Sequence, residues 1–130
     1  AASTATFKIA YFHHAPYSSS YHGNNHKLQW DFANLGIDVV LAGHDHMYER
    51  IERDNILYFV NGIGGADENY RVWKVIPGSK FIYNKKYGYM LANIENNRLS
   101  FKLYSQDNEL IDQRTIEKKQ LPNTNKNDYQ

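Results

Sequence analysis

Two short apolar runs near the start of the chain each predict a buried strand. They cover about residues 7–12 (FKIAYF) and about residues 37–42 (IDVVLA). The first run stops before Pro16, because proline cannot continue a hydrogen-bonded ladder. We therefore expect both strands to be covered on both faces.

A helix is predicted between these strands, over about residues 26–35. Asn24 or Asn25 can cap its first turn, and Gly36 can end it. Its apolar side chains fall on one face, at Leu28, Phe32 and Leu35. A strand, a helix and a second strand make a crossover unit, so we expect the two strands to be parallel.

The rest of the chain predicts strands joined by tight turns. Asp54-Asn55 separates two apolar segments and is a hairpin signal. Asn96-Asn97 joins the clearest hairpin, whose second strand alternates apolar and polar residues with period two. The expected strands cover about residues 51–53, 56–61, 70–76, 81–83, 87–95, 98–105 and 110–116.

Composition narrows the class of protein. Hydrophobic residues make up 42% of the chain, as in a soluble globular domain, and no apolar run approaches the roughly 18 residues of a membrane span. The 15 basic and 14 acidic residues are balanced, whereas a nucleic-acid platform would carry a basic excess. The chain has no cysteine, which excludes disulfides and thiolate metal sites. We expect no nucleic-acid partner and no membrane partner.

The histidines point to a possible site, because all six lie between His13 and His46. Gly43-His44-Asp45-His46 directly follows the second apolar strand, and strand ends in parallel sheets are where ligands bind. Two histidines at i and i+2 on an extended segment point to the same side, and imidazole is a common metal ligand. A surface turn with two solvated histidines is the alternative.

The sequence around this turn, GHDHMYER, resembles the last signature of calcineurin-like metallophosphoesterases of the purple-acid-phosphatase type. The resemblance implies that His44 and His46 bind metal ions. Glu49 and Arg50 are then expected to pair with neighbouring groups rather than to bind metal directly.

The segment HHAPYSSS resembles the preceding signature of the same family, which has a strand-end histidine followed by a proline and a Tyr-Ser segment. The resemblance makes His13 a metal ligand and leaves His14 to packing or orientation. His22, nine positions after His13, is expected to face the substrate phosphate and to protonate the leaving group, a role that suits a histidine near neutral pH. His26 is not expected to be a ligand.

The resemblance implies that the intact site holds two divalent or trivalent metal ions, of iron, manganese or zinc. Its aspartate and asparagine ligands come from an N-terminal half whose signatures do not occur in this sequence. Without a bridging carboxylate, His13, His44 and His46 are expected to hold at most one metal ion, and weakly.

The resemblance implies an α/β fold, in particular the β-rich C-terminal part of a four-layer α/β/β/α sandwich. We expect residues 7–116 to form this part, residues 1–6 to be a linker or a trimmed start, and residues 117–130 to be a disordered tail. Family resemblance is compatible with an extracytoplasmic or secreted protein, but the sequence leaves the compartment open.

Two functions compete at this stage. The first is metal-dependent hydrolysis of a phosphoester substrate, which needs the missing N-terminal half. The second is a non-catalytic module that binds metal or self-assembles, because an open sheet edge favours association. We expect the chain alone to be inactive in either case.

Overall fold

The computed structural model describes residues 3–119. Eight strands and one short 3-10 turn, His26–Leu28, make up the regular structure of this part of the chain. The strands are β1 (Ile9–His14), β2 (Val39–Gly43), β3 (Tyr48–Arg53), β4 (Ile56–Asn61), β5 (Ser79–Tyr83), β6 (Gly88–Glu95), β7 (Arg98–Ser105) and β8 (Leu110–Glu117). No helix within residues 3–119 is long and apolar enough to cross a membrane.

The strands form two sheets. The first sheet has five strands in the order β1-β2-β4-β3-β5, and the second has three strands in the order β6-β7-β8. Strands β1 and β2 are parallel, with Ile9 opposite Val39, which confirms the prediction from the crossover pattern. The predicted β3–β4 hairpin is also confirmed: Asp54 and Asn55 both have positive φ angles, of 53° and 60°, as a tight hairpin turn requires.

The main core lies between the two sheets. Strand β7 buries Leu99, Phe101 and Leu103, so the predicted period-two alternation is confirmed. The ring of Phe101 lies 4.7 Å from the ring of Phe59 in β4, measured between centroids. A second cluster on the other face of the five-stranded sheet includes Phe32, so both faces of this sheet are covered. The two sheet layers match the β-rich part of the expected sandwich.

The predicted helix over residues 26–35 is wrong, because only His26–Leu28 forms a 3-10 turn. Its apolar positions do not share a covered face: Phe32 is buried, whereas Leu35 is 61% exposed. The residues expected to cap and to end the helix nevertheless play similar roles in turns. The side chain of Asn25 accepts a hydrogen bond from the backbone of Lys27, and Gly36 has a φ of +70°.

Two expectations about strands also need correction. Residues 70–76 form no strand and make only a single bridge, between Val72 and Ser20. Trp73 is 80% exposed and Val75 is 61% exposed in this segment, whereas Ile76 packs against the second core cluster. Strand β1 is covered only in part: Ile9 packs against the core between the sheets and Phe12 packs against the second cluster, whereas Tyr11 is 81% exposed.

Candidate metal and phosphate site

The carboxyl ends of β1 and β2 bring the first histidines together. The two strands are parallel and end at the same edge, where His14 lies opposite Gly43. The register shifts between Phe12 and His14, so the chain bulges at His13. As a result, both histidines of β1 lie beside His44, the first residue after β2.

These histidines are close enough to share one metal ion. His13 Nε2 lies 3.1 Å from His44 Nδ1, and the ring of His14 lies 4.3 Å from the ring of His44. One ligand atom from each of the three residues lies within 4.8 Å of the others. The structure thus brings two of the predicted ligands, His13 and His44, into contact and adds His14 to them.

His44 adopts a left-handed backbone conformation, with a φ of 65°. The segment is therefore a tight turn rather than the extended stretch that the spacing of the two histidines suggested. Its backbone is fixed by hydrogen bonds from Asp45 N to Gly43 O and from Met47 N to Asp45 O, at 2.8 and 2.7 Å. Gly62 packs directly against this turn, where a Cβ atom would collide with the Asp45 carbonyl group.

The charge state of His44 suits a metal ligand. Partial burial, assisted by the neighbouring His14 and His22, lowers the pKa of His44. A lowered pKa favours the neutral imidazole, which is the form that binds metal ions.

His22 and Asp45 form the second half of the site. His22 Nδ1 lies 2.5 Å from Asp45 Oδ1, and the Asp45 side chain is only 3% exposed. A carboxylate can only accept a hydrogen bond, so Nδ1 carries the proton and Nε2 of a neutral His22 keeps its lone pair. His22, His44 and Asp45 form another group whose ligand atoms lie within 4.8 Å of one another.

His46 lies apart from both groups. Among residues 3–119, it belongs to no set of three or more side chains spaced to share a metal ion. Its ring stacks on Tyr70 at 4.2 Å, and its Nδ1 lies 3.1 Å from the Glu68 carbonyl oxygen. A carbonyl group at Nδ1 places the proton there and leaves Nε2 available, which is a common arrangement for a histidine that ligates a metal.

Glu49 and Arg50 pair with neighbouring groups, as the sequence suggested. The fully buried Glu49 carboxylate accepts hydrogen bonds from the backbone and hydroxyl of Ser19 and from the hydroxyl of Ser79. Arg50 donates to both carboxylate oxygens of Asp112 in the second sheet. Glu49 therefore anchors the loop that leads to His22, and Arg50 joins the two sheets.

Sequence reasoning missed Asp45, His14 and Tyr70 as members of the site. Asp45 lies between the two histidines of the GHDH turn, and that position was a usable signal for a carboxylate close to the site. The resemblance made only His13 a ligand and left the adjacent His14 to packing or orientation, although both rings lie beside His44. Nothing in the sequence placed Tyr70 on His46, because the contact depends on the path of the segment after β4.

The donor set fits a transition-metal ion. Imidazole nitrogens together with a carboxylate suit zinc, iron and manganese, and all the donors here are of these two kinds. A cavity of about 520 Å³ opens beside them and is lined by His14, His22, His44, Asp45 and the turn at residues 23–27. The site therefore combines possible metal ligands with space for a small molecule.

Comparison with known proteins shows which proteins this chain resembles. The calcineurin-like phosphoesterase family matches residues 1–48. Purple acid phosphatase 4 from Arabidopsis thaliana is 30% identical over 109 residues, which are 78% of this chain and 32% of the relative. Over its first 48 residues the chain is thus similar to calcineurin-like phosphoesterases, and over most of its length it is similar to a purple acid phosphatase. It spans about a third of the length of this curated relative.

Two solved structures share the fold. GAP50, described as the anchor in the inner membrane complex of Plasmodium, superposes with a TM-score of 0.79 at 23% identity, over 89% of this chain and 38% of that chain. The purple acid phosphatase PPD1 from yellow lupin (Lupinus luteus) seeds gives a TM-score of 0.73 at 20% identity, over 85% of this chain and 25% of that chain. At these identities the matches establish the fold.

Proposed function

We propose that this chain supplies the histidine side of the metal centre of a phosphoester hydrolase. The observation that carries the proposal is the contact between His13 Nε2 and His44 Nδ1, at 3.1 Å, where two parallel strands end. His14 lies within ligand distance of both. His46 is proposed to ligate through Nε2, because its Nδ1 faces a backbone carbonyl group.

Metal ions bound here would supply a hydroxide nucleophile and neutralise the charge that develops on the phosphoryl group. Within residues 3–119, the two candidate ligand groups contain a single carboxylate, Asp45, which already accepts from His22. A two-metal site would therefore need further carboxylates from elsewhere in the protein.

His22 is proposed as the proton donor to the leaving group. Asp45 holds its Nδ1, so the ring is oriented and Nε2 is the nitrogen that can carry a transferable proton. The His22 side chain is 32% exposed and lines the cavity beside His44, so a bound ester could reach it. A proton on Nε2 would pass to the departing alkoxide oxygen as the P–O bond breaks.

A non-catalytic metal-binding module is the second candidate. The scarcity of carboxylates in the ligand groups favours it, because imidazoles alone can bind a cation without holding a second one beside it. In this case the chain would bind metal and have no turnover, with or without other polypeptides.

The test is hydrolysis of p-nitrophenyl phosphate with zinc, manganese or iron present. We expect no turnover by the 130-residue chain alone. In any longer natural product that carries this sequence, we expect turnover that falls by about 10²–10⁴-fold in His22→Ala, the usual contribution of a general acid. Robust turnover by the isolated chain would contradict the half-site assignment. An active longer product unaffected by His22→Ala would contradict the assigned role of His22.

A further inference from the structure

The cavity beside the histidines extends beyond the proposed metal centre. Its lining includes His14, His22 and His44 and the turn at residues 23–27. Its volume of about 520 Å³ is larger than a phosphate group needs and falls within the range typical of small-molecule pockets. The organic part of a phosphoester would therefore lie against the turn.

The wall formed by this turn is held by its own hydrogen bonds. Asn24 Oδ1 accepts from the backbone of Ser18 at 3.1 Å, and Asn25 Oδ1 accepts from the backbone of Lys27 at 3.2 Å. The Asn25 backbone N–H group donates to the Pro16 carbonyl oxygen at 3.1 Å. Because these bonds do not involve a ligand, the wall is formed before one binds.

Apart from the histidines, Lys27 and Asp45 are the charged side chains around this cavity among the described residues, and of the two only Asp45 has a side-chain partner there. Lys27 lines the cavity and takes part in no ion pair within residues 3–119. Asp45 is the one acidic residue among the described lining residues, and His22 already engages its carboxylate. A second negative group on a ligand would thus meet an ammonium group and no opposing free carboxylate.

We propose that Lys27 forms a second anion subsite, which selects phosphomonoesters that carry another anionic group on their organic part. This inference rests on the proposed function, because it takes the histidine side of the cavity as the place of the phosphoryl group. Asn24 and Asn25 shape the wall, and Lys27 supplies the charge. Esters with a neutral organic part would bind less tightly.

The probes are two phosphonates that resist hydrolysis and differ by one carboxylate, 3-phosphonopropionate and propylphosphonate. Isothermal titration of the zinc-loaded chain should show that 3-phosphonopropionate binds roughly fivefold more tightly, as one partly exposed ion pair would give. Lys27→Ala should remove this preference and leave propylphosphonate binding unchanged, whereas Lys27→Arg should retain it. Lys102→Ala, on the outer face of β7, is the control and should change neither affinity.

Equal affinities in the wild type, a preference that survives Lys27→Ala, or no binding of either phosphonate would overturn the subsite and leave the metal centre untouched. Failure of the chain to bind zinc would instead overturn the proposed function. In that case, titrations of the two phosphonates without zinc test whether the Lys27 subsite exists. A preference that Lys27→Ala removes supports the subsite, and equal or absent binding rejects it.

Discussion

Asp45 Oδ1 lies 2.5 Å from His22 Nδ1, although the two residues are 23 positions apart. The contact joins the turn after β2 to the loop after β1, and it links two members of one candidate ligand group, of which His22 is the proposed proton donor. The Asp45 side chain is buried and the His22 side chain is 32% exposed, so the hydrogen bond is shielded from solvent on the Asp45 side.

Replacing Asp45 with alanine should release the His22 ring. In the metal-free wild type at about pH 8, we expect His22 to be protonated on Nδ1, because Asp45 can only accept. In Asp45→Ala we expect a mixture of the two tautomers. Long-range proton–nitrogen NMR correlations of the imidazole rings distinguish these states.

His26 is the internal control in the same spectra, because its Nδ1 faces Gln29 Oε1 rather than Asp45. Its signals should be unchanged. If His22 remains fully protonated on Nδ1 after the substitution, Asp45 does not set its orientation.

Local patterns predicted much of the fold. The β3–β4 and β6–β7 hairpins follow from turn residues such as Asp54 and Asn55, which adopt the positive φ angles that these residue types tolerate. The helix prediction failed for a non-local reason. Phe32 packs against Tyr58 and Phe12 on one face of the five-stranded sheet. This tertiary contact outweighs the helical spacing of the apolar residues.

The candidate site was predictable as a cluster but not in its geometry. Two strand-end motifs indicated that His13 and His44 would meet, and their rings do meet. His46 lies apart from them because His44 adopts a left-handed conformation. The prediction from residue spacing assumed an extended segment and so did not include this turn. The metal-binding and catalytic roles of these residues stay predictions.

The contact between Arg50 and Asp112 should stabilise the fold by linking the two sheets. Asp112 also accepts a hydrogen bond from the buried Tyr48 hydroxyl, so Asp112→Ala removes the partner of both groups. We expect a loss of about 3 kcal/mol in the free energy of unfolding, because one charged group and one hydroxyl lose a buried acceptor. Urea denaturation followed by circular dichroism measures it.

Glu117→Ala is the matched control for this substitution. It removes an ion pair with Arg98 in which both side chains are more than half exposed. Such pairs contribute about 0–1 kcal/mol. Equal losses in the two variants would show that the Arg50–Asp112 contact is no stronger than a surface pair.

Stability should also depend on pH through Glu52. A hydrogen bond from Arg114 lowers the pKa of Glu52 below its ordinary value of 4.5 in the folded chain. A lowered folded-state pKa gives a contribution that is fully present above pH 4.5 and is lost as the pH falls through the folded-state pKa. Glu52→Gln should thus destabilise the chain at pH 7 and lose this effect at about pH 2. A difference that stays constant with pH would contradict the ion pair.

The free edge of strand β1 and the cavity beside it should cause self-association. Tyr11, Leu41 and Met90 line a cavity of about 470 Å³ there, beside the end strand β1. Exposed strands and apolar side chains favour pairing with another copy. We expect sedimentation velocity to show concentration-dependent association, reduced by Tyr11→Lys. Leu91→Lys, on the outer face of β6, is the control and should leave the association unchanged. A wild-type chain that stays monomeric at all concentrations would contradict the predicted self-association.

Zinc titration of the 130-residue chain tests the proposed histidine centre most directly. Isothermal calorimetry should show one zinc ion bound per chain, with proton release as the histidines lose protons. His44→Ala should weaken binding by more than about tenfold, because His44 belongs to both ligand groups. His13→Ala should weaken it as well, whereas His26→Ala should bind as the wild type does. A wild-type chain that binds no zinc, or a His44→Ala variant that binds it as tightly as the wild type, would contradict the assignment.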